Sequence, residues 1–429
     1  MVGKFNVIPA TEGDSALDPI LVSGAQESFD SGKLLEKDLV HMYTAGLMKI
    51  VNEVDQDLRL VNSEHYRWLH TPGGNSKGQL KPDFFSAYHA LVKFMPPYQD
   101  APEAIDEGKK YFGKFSHWQC RQSIHCIWDA KLTVGNEAFG EKCKYIQIAA
   151  QGKSDHNGRE LCLKEVIFDI KSFWMVTTEG GTIQKVDVCD WTQAGSKVVL
   201  TTFLQHSDPW MNCTRLLCDK LKVTIVDVSQ ETAPRKGKSA CLGAGGSGRA
   251  FRLTDGRVLK VVIGEDHVKE LKNEYDCLLQ FLQLGLSVMP VVQNTFVSEM
   301  PTNGVAYGGY IMTLQGSPIS QKPGKAIVRQ LTSTLFAIHS MGYVHGDSRI
   351  QNAVLVNNKV LWIDCRRPMR IYSNHEVGDD IEHLVRSLGG TVDASLLSNY
   401  VANPAEEDLY KLVTASIEPT GKTAGLPRR

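Results

Sequence analysis

Apolar positions change their period several times along the chain, and each change predicts an element. From Gly32 to Val54, Leu34, Leu35, Leu39, Met42, Leu47 and Ile50 recur at near-helical spacing and predict a long amphipathic helix. Segments 124–128, 163–170, 173–177 and 197–204 are rich in Val, Ile, Phe and Trp and predict strands. Residues 95–109 break the pattern with Pro and Gly and predict a loop. A junction over 206–238 contains one expected strand, Val223 to Val228, and ends in Pro234-Arg235-Lys236-Gly237-Lys238. Beyond it, strand and helix patterns alternate to about residue 415, and a polar tail covers 416–429. The patterning therefore predicts an α/β domain over 1–205 and a second, α+β domain over 239–415.

Composition narrows the class. A chain of 429 residues suits two or three domains, and 42% hydrophobic with 22% charged residues is a globular balance. That excludes a wholly disordered, collagenous or coiled-coil chain. Lys and Arg number 47 against 48 Asp and Glu, a net charge of -1, which excludes a globally basic nucleic-acid coat but not a local basic groove. Ten cysteines without a C-x-x-C pair suit free thiols. His117, Cys120, His125 and Cys126 form the tightest Cys/His group but lack structural-zinc spacing, so they read as a strand with small buried thiols. No run reaches the ~18 apolar residues of a membrane helix, and Met1 to Phe5 open no apolar leader, so no membrane partner and no targeting segment is expected.

The second block carries the denser chemistry. Gly243, Gly245, Gly246, Ser247 and Gly248 lie in a G-x-G-x-x-G loop that runs into a strand rather than a helix. After an Asp255-Gly256 turn, Lys260 sits inside the apolar run Val258 to Val262. A lone buried ammonium costs several kcal/mol unless it is paired. Glu274 borders the buried stripe of the next helix (Val268, Leu271, Tyr275, Leu278, Leu282) and is a better partner than Glu270. Further on, His345-Gly346-Asp347 precedes Asn352 by the spacing H-x-D-x-x-x-x-N, and a hairpin across Asn357-Asn358 returns the chain to Asp364. One carboxylate to accept a proton, with an amide and a second carboxylate for Mg²⁺, is the equipment of phosphoryl transfer.

In this order and spacing, residues 239–390 resemble the protein-kinase superfamily. The resemblance implies a compact bilobal fold and an ATP-dependent Ser/Thr-type phosphotransferase. Its glycine loop and Lys260 would bind ATP, Glu274 would hold Lys260, Asp347 would act as catalytic acid/base, and Asn352 and Asp364 would bind Mg²⁺. Three departures stand out: Gly346 replaces the loop arginine, Cys365-Arg366 replaces Phe-Gly after the metal aspartate, and no A-P-E element follows. Without the A-P-E element the platform that docks peptides is reduced, and the phosphoacceptor stays open between a protein substrate and the chain itself.

In the first block, Pro82-Asp83 is followed by Asp129-Ala130-Lys131 at the end of an apolar strand. Two carboxylates at strand ends can hold Mg²⁺, and a lysine two positions on shares the strand face and can activate water. This is the PD-(D/E)xK pattern of restriction-endonuclease-like domains. A helix predicted over 137–151 adds Lys142, Lys144 and Gln147 for a phosphate backbone, with Gln147 a candidate member of the catalytic set. Glu53 and Glu64 are candidates for a further carboxylate.

The fusion resembles Crinkler-type effectors of oomycetes, chytrids and other fungi, although the L-x-L-F-L-A-K header of that family is not seen. The resemblance implies a secreted effector acting in host cells, often in the nucleus. The motifs themselves lead to the expectation of an Mg²⁺-dependent nuclease, DNA favoured over RNA, fused to an ATP-dependent kinase. The fusion with the reduced peptide platform leads to the expectation that the kinase phosphorylates its own chain to regulate the nuclease. The alternative is a kinase whose N-terminal domain only binds a protein or nucleic-acid partner.

Overall fold

The computed structural model describes residues 6–7, 32, 34–63, 82–88, 90, 124–134, 163–179, 182–205, 209–226, 240–244, 248–300, 305–365 and 374–417, and the statements below refer to these. Contacts divide the chain into two compact units, residues 1–216 with 225–246 and residues 217–224 with 247–429.

The first unit is built on a mixed seven-stranded sheet. Its strands are β1 (Asn6–Val7), β2 (Leu58–Asn62), β3 (Phe84–Tyr88), β4 (Ile124–Ala130), β5 (Leu163–Phe168), β6 (Ser172–Glu179) and β7 (Thr182–Asp190), in the order β1-β7-β6-β5-β4-β3-β2. β4 and β5 run parallel, whereas β2, β3 and β4 form an antiparallel meander. Every residue of β3, β4 and β5 is buried. These central strands are covered on both faces, and they enclose polar side chains, Ser86, His125, Asp129, Lys164 and Glu165, among the apolar ones.

Helix α1 (Glu36–Val54) packs through its apolar stripe. Tyr43 meets Phe168 and Trp191 at ring-centroid distances of 5.5 and 5.3 Å. Trp191 is anchored in turn by an Nε1–H bond of 2.7 Å to the Asp169 carbonyl. The Asp169 carboxylate accepts the backbone N–H groups of Lys171 and Ser172 and so shapes the β5–β6 turn.

Two sequence expectations fail here. Segment 197–204 is not a strand but helix α2 (Ser196–Leu204). Gly195, at φ 80°, turns the chain into it, and Leu200 and Leu204 are buried one helical turn apart. The β-branched run favours a strand only where a neighbouring strand is free to pair with it. The strand expected at 223–228 is reduced to a bridge at Ile225 among the described residues 223–226. Ahead of it the junction contains α3 (Pro209–Leu221), a helix with no expectation behind it.

The second sheet has the order β11-β12-β10-β9-β8, from β8 (Cys241–Ala244), β9 (Gly248–Arg252), β10 (Val258–Ile263), β11 (Val297–Glu299) and β12 (Tyr307–Met312). Helix α4 (Glu265–Gln283) packs on β10 and β12. Gly309 of β12 is required by crowding, because a Cβ there would lie 2.8 Å from the Lys260 carbonyl and 2.9 Å from Leu217.

After β12 come β13 (Ser317–Pro318), α5 (Lys325–Ser340), β14 (Ala353–Val356), β15 (Lys359–Trp362), α6 (Asn374–Ser387), α7 (Ala394–Ala402) and α8 (Glu406–Ile417). The β14–β15 turn uses Asn357 and Asn358 at φ 49° and 63°. This is the left-handed pair that a two-residue hairpin demands and asparagine tolerates. Trp362, fully buried, donates its Nε1–H to Thr334 of α5 at 2.9 Å, while its backbone bonds to Ser287 and Met289 beyond α4.

Candidate active site

Lys260 lies mid-strand in β10, and its side chain bridges two carboxylates. Its ammonium donates to Glu274 Oε1 and Oε2 at 2.8 and 2.7 Å and also to Asp364 Oδ1. Glu274 comes from α4 and Asp364 from just beyond β15, so three separated segments close one ion cluster. Burial disfavours the Lys260 charge, but Asp364 and Glu274 outweigh it and hold the ammonium firmly protonated. Burial also pushes Asp364 upward, yet Lys260 prevails and keeps this carboxyl below its ordinary range. Glu274 is the loser of the three: burial and the Asp364 charge raise it to about 7 against Lys260 and Tyr310.

The catalytic-loop candidates are fixed by backbone geometry. The Asn352 side-chain amide donates to the Asp347 carbonyl at 2.8 Å, and the Ile363 N–H donates to the Asn352 carbonyl at 2.8 Å. Because Ala353 opposes Trp362 in the hairpin, Asn352 and Asp364 emerge at the same end. Asp364 itself sits at φ 59°, a costly conformation for a residue other than glycine, of the kind that collects at functional sites. Buried Asp347 is held at both oxygens by Arg349, from Nε at 2.5 Å and Nη2 at 2.6 Å. The fork takes one lone pair on each oxygen and fixes the orientation of the carboxylate.

Asp380 of α6 anchors the loop, and no site reading of the sequence singled it out. Its carboxylate accepts the backbone N–H groups of His345 at 2.7 Å and Gly346 at 2.9 Å, and lies 3.2 Å from His339 Nε2. The signal was legible: Asp380 falls between Val377 and Ile381 on the buried stripe of an amphipathic helix. Gly346 sits at φ 84°, a left-handed conformation that glycine adopts without strain. Burial holds the His345 imidazole below its ordinary range. Neutral His345 fits its two contacts: Nε2–H donates to the Ile363 carbonyl at 3.1 Å, and Nδ1 accepts the Asp347 N–H at 3.2 Å.

Of the glycine loop, Gly243 and Gly248 are described, in β8 and β9, while Gly245, Gly246 and Ser247 lie outside the described residues. A carboxylate and a carboxamide oxygen are hard donors suited to Mg²⁺, which takes few protein ligands and completes its shell with water and phosphate. Among the described residues no group of three or more His, Cys, Asp or Glu side chains converges as a metal site, and a phosphate-shared Mg²⁺ does not require one.

In the first unit, Phe84 opposes Trp128 across β3–β4, so Asp83 and Asp129 emerge at adjoining strand ends. Asp83 Oδ2 accepts the Ala130 N–H at 2.8 Å, and Asp129 is fully buried. The Lys131 N–H continues the ladder to the Phe168 carbonyl, which keeps Lys131 in phase with Asp129. Its ammonium pairs with Glu36 Oε1 at 2.6 Å, at the start of α1. The acid of the first helix beside Lys131 is thus Glu36, which the sequence did not single out. Glu53 pairs instead with Lys197 at 2.7 Å, and Glu64 lies outside the described residues. Glu165 of β5 opposes Ile127 and shares the Asp129 face of the sheet. Gln147, with Lys142 and Lys144, lies outside the described residues, as do His117 and Cys120.

No family model and no curated protein matches the chain. Solved structures that resemble it include monomeric WbdD, at 16% identity over 39% of this chain and 44% of that one, with a TM-score of 0.29. Another is the bifunctional kinase-methyltransferase WbdD, at 16% identity over 40% and 42% of the two chains, with a TM-score of 0.28. An aminoglycoside-3'-phosphotransferase of type VIII matches at 15% identity over 48% of this chain and 97% of that one, with a TM-score of 0.31. The chain thus spans less than half the length of the WbdD chains, and at these scores the residues of the site carry the functional reading alone.

Proposed function

We propose that the second unit is an ATP-dependent phosphotransferase of the protein-kinase type. The observation that carries this reading is the cluster of Lys260, Glu274 and Asp364, drawn from a strand, a helix and a hairpin end beside the Asp347–Asn352 loop. A structural ion pair needs two partners. An ammonium shared between two carboxylates leaves one negative charge in excess, at a site that a cation can complete. In this reading Lys260 binds ATP phosphates and Asp347 accepts the proton of the attacking hydroxyl. Asn352 and Asp364 hold Mg²⁺, which when bound neutralises phosphate charge as the γ-phosphoryl group leaves ADP. Purified chain with Mg²⁺ and γ-labelled ATP should label an added protein or itself. Lys260→Met should abolish that labelling, and a wild type that transfers no label to any acceptor sinks the proposal.

A second reading concerns the first unit and rests on the Asp83, Asp129, Lys131 and Glu36 arrangement. In it, Asp83 and Asp129 bind Mg²⁺ at adjoining strand ends, Lys131 orients the attacking water on a phosphodiester, and Glu36 fixes the lysine. DNA is favoured over RNA as substrate. Lys131→Ala is expected to lose Mg²⁺-dependent cleavage by at least about 100-fold, the lower end for a general base. Cleavage of neither duplex DNA nor RNA by the wild type would leave the unit as a partner-binding module. If the kinase regulates the nuclease by phosphorylating its own chain, ATP changes cleavage in the wild type but not in a kinase-dead variant. The pairing of these two units is what a Crinkler-type effector acting in a host nucleus would contain.

A further inference from the structure

The Lys260–Glu274–Asp364 cluster has a fourth member, from a strand without a kinase motif. Tyr310 of β12 lies directly opposite Lys260 in the β10–β12 register, so both side chains leave the same face of the sheet. Helix α4 crosses that face and presents Glu274. The Tyr310 hydroxyl donates to Glu274 Oε1 at 2.5 Å, on the oxygen that also receives Lys260 at 2.8 Å.

The ring has little freedom to place its hydroxyl elsewhere. Tyr310 is fully buried, and the Tyr275 ring lies against it at 5.4 Å and 48°. Tyr275 is itself tied down, donating its own hydroxyl to the Val292 carbonyl at 3.0 Å and packing on Phe296. The helix carboxylate is thus held from two directions, by the ammonium it serves and by a buried phenol. When ATP phosphates compete for the lysine, one of those two restraints is drawn away and the phenol remains.

We propose that Tyr310 is a positioning residue of the ATP site, whose hydroxyl holds Glu274 in the orientation that presents Lys260 to phosphate. This inference rests on the phosphotransferase reading of the second unit. A charge-assisted hydrogen bond of this kind is strong, and its loss is commonly felt as tenfold or more in a linked equilibrium.

The test is a double-mutant cycle in the full chain, read as the Kd of Mg²⁺-ATP and as kcat and KM of phosphate transfer. Tyr310→Phe keeps the ring and is expected to weaken Mg²⁺-ATP binding by about tenfold, acting mainly on KM. In a Glu274→Gln background the same change should add less than about twofold, because residues that act through one another are not additive. Tyr275→Phe keeps the ring packed on Tyr310 and removes a hydroxyl that donates to the Val292 carbonyl rather than to Glu274, so it should change the Kd by less than about twofold. Equal losses from Tyr310→Phe in both backgrounds, or a Tyr275→Phe loss as large, would show general packing and overturn the assignment. So would a Tyr310→Phe chain that binds as tightly as wild type. Failure of the wild type itself to bind Mg²⁺-ATP is read separately and removes the phosphotransferase reading, and the Tyr310 role with it.

Discussion

Asp347→Ala is expected to slow phosphate transfer by about 100- to 10,000-fold, the range for loss of a positioned general base, while Mg²⁺-ATP still binds. The split follows from the geometry. The Asp347 carbonyl accepts from Asn352 and its carboxylate from Arg349, whereas Lys260 pairs with Glu274 and Asp364. Arg349, left without its partner, is half exposed and can be solvated, so the fold should tolerate the change. Single-turnover transfer together with a nucleotide-binding isotherm checks both halves. Loss of binding together with transfer would show that Asp347 shapes the ATP site rather than serving the acceptor hydroxyl.

The largest loss of stability is expected from Asp380→Ala, on the order of 3 kcal/mol, from leaving several buried hydrogen-bonding groups unsatisfied at ~1–3 kcal/mol each. The substitution strands the buried N–H of His345, the N–H of Gly346 and one face of His339 together, and each abandoned polar group carries its own desolvation cost. Denaturant unfolding of the two chains measures the difference, and transfer should fall as well because the loop loses its anchor. A pH dependence follows from the same carboxylate. Burial alone would raise it, but the His339 hydrogen bond and charge, with the His345 N–H, hold it below its ordinary 3.8. A carboxyl depressed in the folded state stabilises fully above its unfolded value, and that contribution is lost as pH falls below 3.8 toward the folded value. The wild type should therefore lose stability in that acid window, and Asp380→Asn should flatten this part of the profile.

The two sites were legible in the sequence to different depths. Lys260 stood out because an ammonium inside an apolar strand demands a partner. Glu274 followed from helical periodicity, and the Asn357-Asn358 turn carried Asp364 back toward Asn352. Asp380 was readable in principle, as a carboxylate on the buried stripe of α6. Tyr310 was not: a tyrosine in an apolar strand looks like any core aromatic until the register places it opposite Lys260. Glu36 was hidden for a related reason. An acid in the first turn of a helix is expected simply from the helix dipole, and only the packing of α1 brings it to Lys131. Segment 197–204 misled because local propensity and burial spacing disagreed, and burial won.

By itself the sequence determined what depends on neighbours along the chain: the helical stripes, the hairpins, the order of the phosphoryl-transfer motifs, and the near-neutral charge that confines any phosphate-binding surface to a local one. Tertiary structure decided what depends on register and on helix placement. It selected Glu36 over Glu53 beside Lys131, made Lys260 the shared cation of two acids, put Tyr310 on Glu274, and tied the His345–Asp347 loop to Asp380. The division has a simple cause. Periodicity and turn chemistry are set by interactions a few residues long, whereas the hydrogen bond between Lys260 and Asp364 joins residues 104 apart. No local preference encodes that contact, and it exists only once the core that excludes water around it has formed.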